Sequence, residues 1–169
     1  MCGIAGYIGE KQIAKNLIYN TIEVMKNRGP DFQKFESFSN HNSHIVLIHS
    51  RLSIIDLDAR SNQPYVQDHC SLIFNGEIYN YIELRKELEE LGMQFKTESD
   101  TEVLLQSYLY YGEKCVEKFE GMWSFAIYDR IEHKLFLSRD RFGEKPLYYF
   151  ESSDGFYFAS EIKALRELS

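Results

Sequence analysis

Cys2 could act as a nucleophile from the very start of the chain. Because the side chain at position 2 is small, we expect Met1 to be removed, which would leave a thiol and a free α-amine on one residue. Such an amine has a pKa of about 8, so near neutral pH it can take the proton of the thiol, directly or through a water molecule. This arrangement activates a weak nucleophile. The alternative is a structural cysteine that shares one face of a strand with Ile4.

Asn75 and Gly76 could supply the hydrogen-bond donors that an oxyanion needs. They follow an apolar run that predicts a strand beginning at Cys70, and they precede a predicted helix, so an amide side chain and a backbone N–H would be presented together. One such donor can lower the barrier of an acyl transfer by about 3 kcal/mol. The alternative is an ordinary tight turn, because Asn-Gly is a frequent turn dipeptide.

Two charged residues could hold the ends of a small zwitterion. Arg51 interrupts an apolar run, and a guanidinium group binds a carboxylate through two parallel hydrogen bonds. The alternative is a surface arginine on an edge strand. Asp100 begins a predicted helix and could bind an ammonium group, although the helix dipole alone also favours an acidic residue there. A thiol, oxyanion donors, an arginine and an aspartate together suit glutamine as the substrate, and asparagine less well.

The elements that must position these residues alternate between apolar strands and amphipathic helices. Helix caps are predicted at Asn80 and at Ser99, where Glu102 would complete a capping box. The predicted strands are 2–9, 44–56, a run from 70 that turns at 75–76, 122–130, 134–140, 146–151 and 156–160, and the predicted helices are 12–26, 80–91, 99–111 and one from 163. This pattern predicts an α+β layered domain.

The composition excludes several classes of function. The 169 residues carry a net charge of −7, which argues against nucleic acid and anionic membranes as partners. No apolar run approaches the roughly 18 residues that span a bilayer, and no secretory signal is recognisable. The three scattered cysteines predict neither disulfides nor a metal site. We therefore expect a cytoplasmic protein that binds no metal.

Eight stretches, in order from Met1 to about Leu165, resemble the glutaminase domain of class II glutamine amidotransferases, above all that of the glutamine-hydrolysing asparagine synthetases. They are MCGIAGYIG, RGPD, HSRLSIIDL, LIFNGEIYNYIELRKEL, ESDTEVLL, GMWSFAIYD, RDRFGEKPLYY and FASEIKAL. The resemblance implies an N-terminal-nucleophile hydrolase fold, with two stacked antiparallel sheets between helical layers (αββα).

The resemblance also implies a role for each candidate residue. Glutamine would be hydrolysed to glutamate and ammonia through a thioester on Cys2. The remaining positions match the oxyanion hole (Asn75 and Gly76), the clamp on the α-carboxylate (Arg51), the contacts to the α-amino end (Asp100 and Glu77) and the pocket backbone (Leu52, Ser53, Ile54 and Ile55). The RGPD stretch resembles a structural loop near the site. The family usually has histidine where this chain has Asn27, a difference that concerns loop packing or coupling to a partner.

We expect residues 1–169 to form one glutaminase domain without a cofactor of its own. The enzymes it resembles join this domain to an ATP-dependent synthetase domain that amidates aspartate, and no phosphate-binding motif of that kind occurs in these residues. ATP and Mg²⁺ are therefore expected only on such a synthetase domain or subunit. Three questions stay open: amidation of another carboxylate such as a sugar acid, a non-catalytic docking domain of the same fold, and a homodimer. For residues 139–145 we predict a structural turn held by Arg–Asp pairs.

Overall fold

The computed structural model describes residues 1–40, 43–54 and 58–169. Within these ranges the strands are β1 (Gly3–Gly9), β2 (Phe32–Ser39), β3 (His44–Arg51), β4 (Tyr65–Gln67), β5 (Cys70–Ile78), β6 (Gly121–Asp129), β7 (Lys134–Arg139), β8 (Tyr148–Ser152) and β9 (Gly155–Ala159). The α-helices are α1 (Lys15–Met25), α2 (Tyr81–Glu90), α3 (Asp100–Tyr111) and α4 (Ile162–Leu168), and short 3-10 helices lie at Ala59–Ser61 and Gly112–Glu117.

The strands form two antiparallel sheets. The order is β2-β3-β1-β9-β8 in the first sheet and β4-β5-β6-β7 in the second. Successive side chains of a strand point to opposite faces of its sheet. The side chains on one face of each sheet pack against the other sheet. In β1, Ile4 packs between the sheets against residues such as Ile73 and Ala126, whereas Ala5 and Tyr7 belong to the core on the other face.

Each sheet carries helices on its outer face. Ile18 and Met25 of α1 and Leu168 of α4 are buried in the core beneath the first sheet. Leu84 and Leu88 of α2, with the apolar side chains of α3, cover the second sheet. The four layers αββα and the α+β class that the sequence predicted are confirmed. No helix in the described residues is both long and apolar enough to cross a membrane.

Several local predictions need correction. Strands β2 and β4 were not predicted, and the strand expected over 44–56 ends at Arg51. The predicted turn at Asn75-Gly76 is wrong, because β5 continues to Ile78 and pairs with β6 along its whole length. A Cβ on Gly76 would lie 2.2 Å from the Met122 carbonyl oxygen, so this glycine permits a close approach of two strands rather than a turn.

The helix starts are confirmed in part. The Ser99 side chain accepts a hydrogen bond from the Thr101 N–H, as an N-cap should. Glu102 does not complete the capping box, because its carboxylate accepts hydrogen bonds from the Lys96 and Thr97 N–H groups and the Thr97 hydroxyl. Asn80 does not cap α2 either. Its amide nitrogen instead donates to the Lys118 carbonyl oxygen, and its amide oxygen accepts the Glu120 N–H.

Candidate active site

A cavity of about 140 Å³ opens where the start of the chain meets β3, β5 and the start of α3. Most of the site residues predicted from the sequence lie on its wall: Cys2, Arg51, Leu52, Ile54, Asn75, Gly76, Glu77 and Asp100. Ser53 lies in the same chain segment without lining the cavity, and Ile55 lies outside the described residues. The elements therefore bring together side chains that are up to 98 positions apart in the sequence, namely Cys2 and Asp100.

Cys2 directly precedes β1, the central strand of the first sheet, and its thiol faces Leu52 at the end of β3. The Leu52 N–H donates to Sγ over 3.4 Å, and Sγ lies 3.6 Å from the Leu52 carbonyl oxygen. Burial raises the pKa of the Cys2 thiol, and the Leu52 N–H, the chain terminus and Arg51 oppose that rise. Because burial dominates, the thiol needs a base before it can attack.

The RGPD stretch holds the start of the chain and the segment after β3 in place. Arg28 Nε donates to the Cys2 carbonyl oxygen over 2.9 Å, and its Nη1 lies 3.2 Å from the Glu161 carboxylate. Asp31 accepts the Ser53 N–H at 2.7 Å. A Cβ on Gly29 would lie 2.2 Å from the backbone of Ser50, so only glycine fits there. The loop therefore contacts both the start of the chain at Cys2 and the segment that faces its thiol.

Arg51 is buried at the end of β3, with 5% of its surface exposed. Its Nη1 donates to the Asn62 side-chain oxygen over 2.6 Å and to the Asp58 carbonyl oxygen over 3.2 Å. These contacts hold the guanidinium group in a fixed orientation on the cavity wall. The edge-strand alternative is wrong, because β3 lies between β2 and β1 and the side chain is not solvated.

Asn75 and Gly76 lie within β5 and line the cavity. The Asn75 side chain is 1% exposed, and its amide nitrogen has no hydrogen-bond acceptor among the described residues. A buried donor without an acceptor costs roughly 1–3 kcal/mol of stability. Such a group is suited to an acceptor that arrives with a ligand.

Asp100 begins α3 with its side chain turned towards β5. One carboxylate oxygen accepts the Ile78 N–H at 3.2 Å. Burial raises the pKa of Asp100 to about 6, and the neighbouring Glu77 carboxylate adds to the rise. The half-buried Glu77 lies on the same wall. Two neighbouring carboxylates on one wall form a natural site for an ammonium group.

Two buried polar side chains that the sequence did not indicate support this wall. Gln63 accepts the Phe74 N–H at 2.6 Å and donates to the Thr101 hydroxyl, so that it joins β5 to α3. His49 Nε2 donates to the Phe74 carbonyl oxygen over 3.1 Å, and burial lowers its pKa to about 3. Both hydrogen bonds end on the residue before Asn75. The signal that could have found His49 is its place in the HSRLSII stretch.

Lys145 is another cavity residue that the sequence did not indicate. It follows β7 in a loop built around Asp140, whose carboxylate accepts four backbone N–H groups, those of Trp123, Phe142, Glu144 and Lys145. Arg139 donates to the carbonyl oxygens of Gly143 and Lys145. The turn is structural as predicted, but its side chains bind backbone groups and the expected Arg–Asp pairs do not form among the described residues.

One group of metal-ligand side chains lies away from the cavity. Potential ligand atoms of His69, Cys70 and Asp129 lie within 4.8 Å of one another. Asp129 already accepts hydrogen bonds from the N–H groups of Ile131 and Glu132. Burial, and to a smaller extent the Asp129 carboxylate, raises the pKa of the Cys70 thiol to about 12. None of these three residues lines the cavity, so the cluster is separate from the candidate active site.

The comparisons with known proteins agree with this geometry. Residues 1–169 match the family described as "Glutamine amidotransferase domain". The chain belongs to this family. It is 44% identical over 172 residues to asparagine synthetase [glutamine-hydrolyzing] 1 of Bacillus subtilis, and 38% identical over 182 residues to a putative asparagine synthetase [glutamine-hydrolyzing] 2 of Methanocaldococcus jannaschii. Each alignment covers 98% of this chain but only 26% and 35% of the relative.

Solved structures show the same fold. Glutamine phosphoribosylpyrophosphate amidotransferase from B. subtilis matches with a TM-score of 0.76, and the allosteric regulatory enzyme of purine biosynthesis matches with 0.80. Both are 21% identical to this chain and cover 99% of it, while the chain covers 43% of each. The chain therefore has the N-terminal-nucleophile hydrolase fold of the class II glutamine amidotransferases.

Proposed function

We propose that this glutamine amidotransferase domain hydrolyses L-glutamine to glutamate and ammonia, with Cys2 as the nucleophile. The observation that carries the proposal is the meeting of four groups at one cavity. The Cys2 thiol, the unpartnered amide nitrogen of Asn75, the guanidinium of Arg51 and the carboxylate of Asp100 all lie on its wall. These groups match the amide carbon, the amide oxygen, the α-carboxylate and the α-ammonium of glutamine.

The reaction proceeds in two halves. Once Met1 is removed, the free amine of Cys2 takes the thiol proton, and the thiolate attacks the γ-amide carbon of glutamine. The oxyanion that forms accepts hydrogen bonds from the Asn75 amide and the Gly76 N–H. Ammonia leaves with the proton that the amine returns, and a glutamyl thioester stays on Cys2. A water molecule, deprotonated by the same amine, then releases glutamate and restores the thiol.

The ammonia would serve a synthetase domain or subunit. This chain spans about a quarter to a third of the length of the curated relatives, which are named as glutamine-hydrolysing asparagine synthetases. We propose that such a partner, with ATP and Mg²⁺, amidates aspartate, and that amidation of a different carboxylate is the competing possibility. A free terminal thiol requires a reducing compartment, which favours the cytoplasm.

The test is glutamate release from glutamine by the chain whose loss of Met1 has been verified by intact mass. Substitution of Cys2 by alanine should lower the rate by at least about 10³-fold, because the attacking atom is lost. Cys115→Ala is the matched control, since Cys115 is buried in the core around α3 rather than on the cavity wall. An equal loss in both variants, or none in Cys2→Ala, contradicts the proposal.

A glutamine titration of the Cys2→Ala variant separates catalysis from mere docking. We expect glutamine to raise the melting temperature of this variant, because Arg51 and Asp100 are still in place. In a docking domain that has lost its pocket, glutamine would not change the melting temperature of the Cys2→Ala variant or of the unsubstituted chain. The chain with an N-terminal extension should bind glutamine but release almost no glutamate, because Cys2 then has no free amine.

A further inference from the structure

Lys145 carries an ammonium group into the interior without a carboxylate to neutralise it. The residue is 6% exposed, and no carboxylate in the described ranges lies within 4.0 Å of its Nζ. The contact of Nζ is the Met1 sulfur, at 3.4 Å. Because buried lysines are rare unless they are paired, this charge calls for an explanation.

The backbone of Lys145 is fixed on both sides. Its N–H donates to Asp140 over 2.9 Å, and its carbonyl oxygen accepts from Arg139 Nε over 2.7 Å. Lys145 lines the same cavity as Cys2. Met1 is bonded to the nitrogen that becomes the free amine, so its removal takes away the contact of Nζ and leaves the ammonium group on the wall of the cavity that the new chain terminus also lines.

The other charges near that terminus are already engaged. Arg28, which holds the Cys2 carbonyl oxygen, is paired with Glu161 of the segment before α4. Arg51 is held on β3, and Asp100, with Glu77 beside it, accepts a hydrogen bond from Ile78 on the far wall. Arg51 favours the thiolate of Cys2 and Asp100 opposes it. In contrast to Arg28, the Lys145 ammonium has no carboxylate among the described residues within 4.0 Å.

We propose that Lys145 is a positioning residue whose ammonium group keeps the terminal amine of the processed chain neutral and able to act as a base. This inference rests on the proposed function, which assigns the base to that amine. A protonated amine beside a second cation is disfavoured, so the amine gives up its proton at a lower pH than it would alone. Since burial raises the pKa of the thiol, no thiolate is preformed, and the reaction depends on how much of the amine is neutral.

The direct test is an NMR titration of processed protein labelled at the cysteine β-carbons, with the Cys2 signal assigned by its absence in Cys2→Ser. In Lys145→Met, which keeps the length of the side chain but removes its charge, the midpoint of the amine titration should rise by about one pH unit. Lys145→Arg should restore the original midpoint. Lys86→Met is the matched control, because Lys86 is exposed on α2, and it should leave the midpoint unchanged.

The kinetic readout is the pH profile of kcat/KM for glutamine. Removal of the charge should shift the acidic limb to higher pH by the same amount, with about tenfold lower kcat/KM at neutral pH that recovers in alkali. A purely structural role of Lys145 would lower activity equally at all pH values and leave the NMR midpoint in place, which overturns the inference. If the NMR midpoint moves but no form of the chain hydrolyses glutamine, the proposed function fails while the influence of Lys145 on the amine stands.

Discussion

Cys2 and Cys70 are the same residue type in two opposite settings. Cys2 sits at the chain start on a cavity wall, where burial raises the pKa of its thiol but the Leu52 N–H, the chain terminus and Arg51 oppose that rise. Cys70 lies at the start of β5 with no exposed surface, and burial together with the Asp129 carboxylate holds its pKa at about 12. The difference teaches that the reactivity of a thiol is decided by the neighbours that the fold brings to it.

Asn75 is the proposed oxyanion donor beside Cys2, and we expect its substitution to have the largest effect on kcat in this comparison. Asn75→Ala should lower kcat about 10²–10³-fold with little change in KM, because the lost hydrogen bond forms mainly in the transition state. Steady-state kinetics of the processed chain will measure this, with circular dichroism to verify folding. An unchanged kcat would mean that the buried amide of Asn75 is only structural.

The buried carboxylates of Asp100 and Asp140 can also be compared, because their pKa values are shifted in opposite directions. Burial raises the pKa of Asp100 to about 6, so the folded state pays for its charge at neutral pH. Asp100→Asn should therefore increase the free energy of unfolding at pH 7 by up to about 3 kcal/mol, while it weakens glutamine binding. The gain should shrink as the pH falls through 6 and vanish below about 4, where both states of the wild type are protonated.

Asp140→Asn is the matched control for that measurement. Burial alone would raise the pKa of Asp140, but four backbone N–H donors hold it below its usual value. Its charge therefore stabilises the folded state above the unfolded pKa of about 4, and that stability is lost as the pH falls. Urea unfolding at pH 7 should show destabilisation for Asp140→Asn. The same sign of change in both variants would contradict the account of Asp100.

Alkylation of the native chain provides the comparison of thiols with the smallest expected effect. At pH 8, iodoacetamide should modify Cys2 at least about 100-fold faster than Cys70 or Cys115, because Cys2 is reached from the cavity whereas the other two thiols have no exposed surface and a pKa that burial raises to about 12. Peptide mapping against time gives the three rates. Glutamine should protect Cys2 alone, and equal rates for the three thiols would remove the distinction between the two settings.

The sequence identified the chemistry better than the geometry that delivers it. The Ser99 cap was predictable because it depends on local residue types. The assignment of Cys2 as the nucleophile rests on the other candidate residues and on the family resemblance, and it stays a prediction. Asn75 was assigned to a turn, since nothing in Asn-Gly reveals that Gly76 must pass within contact of Met122 on a neighbouring strand. Lys145 was missed for a similar reason. Its orientation depends on a loop around Asp140 and on a contact with the chain start, 144 positions away in the sequence.

The covalent intermediate tests the central claim most directly. Processed chain mixed with glutamine and quenched in acid within the turnover time should yield, by peptide mass spectrometry, a glutamyl adduct on the peptide that begins with Cys2 and on no other. Added hydroxylamine should divert this thioester to γ-glutamyl hydroxamate. Glutamate release without any adduct on Cys2, or with the adduct on Cys70 or Cys115, would contradict the account.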